Sequence, residues 1–164
     1  MKTAVIIGSE GQDGQYLFNY LKLIQYRVIG VGRNTIRTNL DEDIQPLNIN
    51  SLEEVSSFIM KICPDEIYYL AAHHHSSEDV IKDEGSLINL SYQTNVIAYT
   101  HFLESIRIYI PQTRIFYAAS SHIYGNPKGV IQSEITKHNP NSIYAITKCN
   151  SLQLSKYYRE NHGL

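Results

Sequence analysis

Three groups of residues in this 164-residue chain have types and spacings that could do chemistry. Gly8, Gly11 and Gly14, spaced G-x-x-G-x-x-G, follow the apolar run TAVII and precede an amphipathic stretch. At a strand-to-helix turn, such glycines form a cradle that lets backbone N–H groups and a helix N-terminus meet a phosphate. The first permits the tight turn, the second lets backbone approach the phosphates, and the third lets helix pack on strand. The second group is Ser120, in IFYAASSHIYG, with Tyr144 and Lys148 in NSIYAITK. Tyr144 and Lys148 share one helix face, where an ammonium lowers a neighbouring phenol from its usual value of about 10. A tyrosinate so formed can take a proton from a sugar hydroxyl while a nicotinamide takes the hydride, with Ser120 holding the same oxygen. The third group is Arg33, with Arg37 nearby, at the tip of the second apolar run. An acid there would bind ribose hydroxyls, whereas a guanidinium grips a 2′-phosphate in a bidentate manner, so NADP is expected rather than NAD.

The elements that must position these groups alternate along the chain. Apolar runs at 3–8, 26–32, 66–72 and 114–120 read as buried parallel strands, with a weaker one at 44–49 that Pro46 interrupts. Helical periodicity covers 13–25, with Tyr16, Leu17, Tyr20, Leu21 and Ile24 on one face. It covers 51–62, capped by Ser51, with Leu52, Val55, Phe58, Ile59 and Ile62 facing inward. Longer helices are expected at 86–110 and from about Ser142 to Asn161, with loop between 122 and 142. Repeated strand–helix–strand units predict an α/β, Rossmann-like, doubly wound parallel sheet in three layers, one domain over 1–164.

Composition excludes several classes. A formal net charge of −2 argues against a nucleic-acid or membrane-surface partner. Cys63 and Cys149 lack metal-site or disulfide-framework spacing, and the N-terminus lacks signal-peptide character, so a cytoplasmic location is expected. The run His73-His74-His75 invites a metal reading, but consecutive residues at a strand end point in alternating directions and converge poorly on one ion. No metal is expected.

On these residues the chain resembles the extended short-chain dehydrogenase/reductases that act on nucleotide sugars. It is most similar to the GDP-mannose 4,6-dehydratase group, whose glycine turn also reads G-x-x-G-Q-D-G-x-Y-L. YLAAHHHSS, IFYAASSHIYG and YYRENHGL look like further segments of that family. The resemblance implies transient oxidation at the sugar's C4 by Ser120, Tyr144 and Lys148. It assigns cofactor contacts to Gln12, Asp13, Asn48, Ile49, Leu70, Ala71, Ala72, His75 and Asn95 beside the glycines, Arg33, Tyr144 and Lys148. Asn95 would support the lysine through backbone and water, while His73 and His74 have no assigned role. It also implies a GDP-linked sugar as substrate, a homodimer or higher oligomer packed through helices 86–110 and 142–161, and full-length members about twice as long. The C-terminal substrate part is expected to be lacking. Two positions depart from the family pattern. His122 stands where the dehydratases have the glutamate that takes the C5 proton; an imidazole could also serve as acid or base, or the chain could be an epimerase/reductase or a cofactor-binding remnant without turnover. Asn48 replaces an adenine-binding Asp, and its amide oxygen can still accept the amino proton.

Overall fold

The computed structural model describes residues 1–32, 44–74, 83–126, 129 and 131–164. In chain order these form β1 (Thr3–Ile7), α1 (Gln12–Leu23), β2 (Arg27–Gly32), β3 (Ile44–Pro46), α2 (Leu52–Ile62), β4 (Glu66–Tyr69), α3 (Glu84–Tyr92), α4 (Ala98–Tyr109), β5 (Arg114–Tyr117) and α5 (Ile143–His162). A π-helical segment, Gln93–Ile97, joins α3 to α4, and a 3-10 turn, Ser121–Tyr124, follows β5. The sheet has the order β3-β2-β1-β4-β5 with every pairing parallel. Register aligns Ile7 with Val31 and Tyr69, and Tyr69 with Tyr117, so the carboxyl ends form one rim. Strand order reverses direction at β1, and the crevice there is where such sheets take ligands.

One face of the sheet is covered by α2 and α4, and the other by α1 over β1 and β2, where the strands are apolar throughout; on that second face Tyr68 of β4 is half-buried and Phe116 of β5 is exposed. Ala4, Ile6 and Val28 pack with Phe18 and Leu21 of α1 on one side. Val5, Ile7, Ile29 and Ile67 pack on the other with Val55, Phe58 and Ile59 of α2 and Phe102, Leu103 and Ile106 of α4.

The inward stripe of α1 differs from the expected one. Tyr16, Tyr20 and Ile24 are exposed, and the buried positions are Gly14, Phe18 and Leu21. The reason is steric. Gly14 is the point of closest approach to the β1 turn, so the stripe that continues from it at helical spacing faces the sheet. Leu52, in the first turn of α2, is likewise exposed, whereas the other four expected core residues of that helix are buried. β3 is shorter than expected and keeps Pro46 at its end.

The helix expected at 86–110 starts at Glu84, ends at Tyr109 and is interrupted by the π segment. The wider i→i+5 winding of a π segment turns carbonyls away from the ordinary ladder. Here the carbonyl oxygens of Thr94 and Asn95 accept hydroxyl hydrogen bonds from Tyr69 and Tyr117, at 2.6 and 3.1 Å. Asn95 O also accepts from Ser151 Oγ at 2.7 Å. Buried tyrosines thereby tie strands β4 and β5 to the helical layer, with Tyr99 edge-on to Tyr69 at 5.2 Å between ring centres.

Candidate active site

The first turn is built around two glycines that cannot be replaced cheaply. Gly8 has φ +91°, and a Cβ there would stand 2.8 Å from the backbone nitrogen of Ala71. A Cβ on Gly14 would stand 2.3 Å from the carbonyl oxygen of Gly8. The third member, Gly11, is the N-cap of α1 and donates its N–H to Gly8 O at 3.1 Å. Gln12 and Asp13 occupy the exposed first turn of the helix. Between the glycines, Ser9 Oγ is buried with no hydrogen-bond partner among the described residues.

The turn opens into a cleft of about 990 Å³ along the carboxyl rim. Gly8, Gly11, Asn48, Ile49, Leu70, Ala71 and Ala72 line it, together with Glu10, Gly32, Glu54, His73 and Thr94. Asn48 Oδ1 accepts the backbone N–H of Asn50 at 3.2 Å, an Asx turn that fixes the amide at the cleft wall. Arg33 and His75, two expected cofactor contacts, and Arg37 beside them lie outside the described residues.

Past the cleft, β5 and α5 bring the second group together. Ser142 caps α5 by accepting the N–H of Ala145 at 3.2 Å, which places Tyr144 and Lys148 in the first turns of that helix. Lys148 is 1% exposed. Its Nζ donates to Ala118 O at 2.8 Å, and it lies 4.7 Å from the Tyr117 ring centre and 5.6 Å from that of Tyr144. No described carboxylate pairs with it. Burial pulls its ammonium down from 10.5 to about 8. Ser120 caps the 3-10 turn, its Oγ accepting the N–H of His122 at 3.2 Å. The His122 ring then stands 5.9 Å from the Tyr144 ring, edge-on.

Asn95 is fully buried and holds the two halves of the site together. Its Oδ1 accepts the N–H of His73 at 2.8 Å, and its Nδ2 donates to His73 O at 3.2 Å and to Thr147 Oγ1 at 2.9 Å. The end of β4 is thereby pinned to the residue before Lys148. Two residues here carried no expected role. His74, treated as ordinary in the sequence, packs edge-on against Tyr144 at 4.6 Å and lies 6.4 Å from His122. Its place at the end of β4, on the ligand-binding rim, was the available signal. Glu10 reaches across to Gly32, where a Cβ would stand 2.3 Å from Glu10 Cδ. A residue between two cradle glycines gives no sequence hint of such a reach.

The sequence model of the family described as GDP-mannose 4,6 dehydratase matches residues 5–164. The chain belongs to the GDP-mannose 4,6-dehydratase family. It is a member of the extended short-chain dehydrogenase/reductases with a Rossmann-like fold. It is 30% identical to a GDP-mannose 4,6-dehydratase of Yersinia enterocolitica, covering 100% of this chain and 47% of that relative. It is 32% identical to GDP-mannose 4,6 dehydratase 2 of Arabidopsis thaliana, covering 99% of this chain and 48% of that one. Among solved structures, the fold is similar to UDP-glucose 4-epimerase from Brucella ovis in complex with NAD, with TM-score 0.87, 18% identity, and coverage of 100% of this chain and 50% of that one. The chain thus spans about half the length of the curated dehydratases it matches. No described helix is long and apolar enough to cross a membrane.

Proposed function

We propose that the chain carries the dinucleotide-binding and hydride-transfer half of an enzyme that modifies a nucleotide sugar through transient oxidation at C4. The GDP-mannose 4,6-dehydratase reaction is the form the family supports best. The observation that carries this reading is Lys148, a buried cation with no acid partner among the described residues, held between the Tyr117 and Tyr144 rings at the ligand-binding rim. A fold keeps such a costly charge where it serves chemistry.

The cradle suits a pyrophosphate. Its two tight glycines bring backbone to the mouth of the cleft, and the buried Ser9 hydroxyl, which has no hydrogen-bond partner among the described residues, lies between them in the chain. When bound, a nicotinamide dinucleotide supplies a hydride acceptor. Tyr144 takes the proton of the C4 hydroxyl, with Lys148 holding positive charge beneath the phenol and Ser120 hydrogen-bonding the same oxygen. His122 handles the proton at C5, in the place of the family glutamate. Arg33, which follows β2 in the sequence, supports the phosphorylated cofactor. Leu90, Ile97 and Tyr157, exposed on the α3–α4 helix and α5, support a homodimer through those helices.

Incubation with GDP-mannose and oxidised dinucleotide, followed by mass spectrometry of the sugar, tests the reaction. A product lighter by one water supports dehydration. A GDP-sugar isomer of unchanged mass shifts the reading to the epimerase. His122→Ala that still released the dehydrated product would exclude His122 as the C5 base.

A further inference from the structure

Two imidazoles and an ammonium stand around Tyr144. Lys148 Nζ lies 5.6 Å from its ring centre, and the His122 ring lies 5.9 Å away. His74 is nearer, edge-on at 4.6 Å with an interplanar angle of 84°. The two imidazole rings are 6.4 Å apart, so all three rings form one cluster. The backbone that delivers His74 is clamped. Buried Asn95 accepts the N–H of His73 at 2.8 Å and donates to His73 O at 3.2 Å. The same amide donates to Thr147 Oγ1 at 2.9 Å, three residues after Tyr144. One buried side chain therefore fixes both sides of the His74–Tyr144 contact, while the His74 ring stays exposed at the rim.

The dehydration proposed above leaves a proton to be moved. Hydride leaves C4 and Tyr144 takes the hydroxyl proton, which oxidises C4 to a ketone. His122 takes the C5 proton, and the electrons of that C–H bond form the C5–C6 double bond as the C6–O bond breaks. The departing oxygen needs a proton to leave as water. The hydride from C4 then returns at C6, and the proton on His122 returns to C5. The C4 ketone stays, so the proton on Tyr144 never goes back to the sugar. Each turnover ends with one proton too many on Tyr144 and one too few on the group that released water. Lys148, as an ammonium, has no acceptor capacity, and His122 is occupied with the C5 proton. We infer that His74 closes this cycle, protonating the C6 oxygen as it leaves and recovering its proton from Tyr144, directly or through one water. An imidazole suits both steps because it gives and accepts a proton near neutral pH. The inference rests on the reading above and names the acid that dehydration requires.

Incubation in D2O with GDP-mannose and oxidised dinucleotide separates the two histidines. Deuterium entering C5 of recovered GDP-mannose reports C4 oxidation and C5 proton removal, and the dehydrated product reports loss of water. His74→Asn removes the acid at an exposed position, and His74→Phe keeps a ring edge against Tyr144 without a proton to give. In both, C5 exchange is expected to stay within a few-fold of wild type, while water loss falls about a hundredfold or more. Water loss at the wild-type rate in His74→Asn, or its survival in His74→Phe, would overturn the inference alone. So would an equal fall of exchange and water loss, or a wild type that exchanges C5 without losing water. A wild type with neither exchange nor sugar-dependent reduction of the dinucleotide would overturn the proposed reaction and the inference with it.

Discussion

Replacing Lys148 with methionine separates what the lysine costs from what it does. Lys148 is buried, and burial pulls its ammonium from 10.5 to about 8. With each factor of ten in proton affinity equal to 1.36 kcal/mol, holding the charge inside costs about 3 kcal/mol at pH 7. Because the folded value lies below the unfolded one, the unfolded chain binds the proton more tightly. The penalty is full below pH 8 and fades as pH rises from 8 toward 10.5. Methionine keeps the apolar stem and removes the charge, but leaves Ala118 O without its donor, a loss of about 1–3 kcal/mol. Lys148→Met is therefore expected to be more stable than wild type by up to about 2 kcal/mol at pH 7 and to lose that advantage at pH 10. Urea unfolding of both proteins at the two pH values reads this directly. Tyrosine ionisation is shared by both and cancels in the difference. A stability difference that stays the same at pH 7 and pH 10 would refute the idea that a buried charge is being held at cost.

Three further outcomes follow from the packing. Gly14→Ala forces a methyl to within 2.3 Å of Gly8 O, and overpacking of this kind costs about 1–3 kcal/mol; thermal unfolding should show the loss, and dinucleotide affinity should fall with it. Asn95→Ala strips partners from His73 and Thr147 inside the protein; a loss of about 2–4 kcal/mol is expected in denaturant unfolding, with the site loosened between β4 and α5. Glu104, held below the usual carboxylate range by hydrogen bonds from Arg107 and then Tyr158, links α4 to α5. Its depressed value means that its contribution is present above the unfolded carboxylate range and lost as pH falls through the folded one, so Glu104→Gln should flatten the acid limb of the stability–pH profile.

The sheet and its helices were legible because their signals are local. Strands such as β1 and β2, covered on both faces, are apolar throughout, and caps such as Ser51 and Ser142 sit where their side chains accept the N–H three residues on. The roles of Gly8 and Gly14 were readable for the same reason: a strand–turn–helix leaves few ways to use them. What escaped the sequence depends on distant segments. Which stripe of α1 faces inward is set by contact between Gly14 and the Gly8 carbonyl, not by hydrophobicity, since Tyr16 and Tyr20 look as apolar as Phe18. The π segment answers the hydroxyls of Tyr69, Tyr117 and Ser151, which come from three other elements. His74 and Glu10 belong to the rim only because β4 and the cradle deliver them there. Neither has a spacing that marks it.

In the proposed reaction Tyr144, beside the buried Lys148, takes a proton from a nucleotide sugar as a hydride leaves its C4. Single-turnover mixing of the protein with oxidised dinucleotide and GDP-mannose, read by the absorbance of reduced nicotinamide, tests it most directly. A sugar-dependent rise is expected in wild type, and Tyr144→Phe is expected to abolish it while its dinucleotide affinity is retained. An equal rise in Tyr144→Phe, or no rise in a wild-type protein saturated with dinucleotide and sugar, would contradict it.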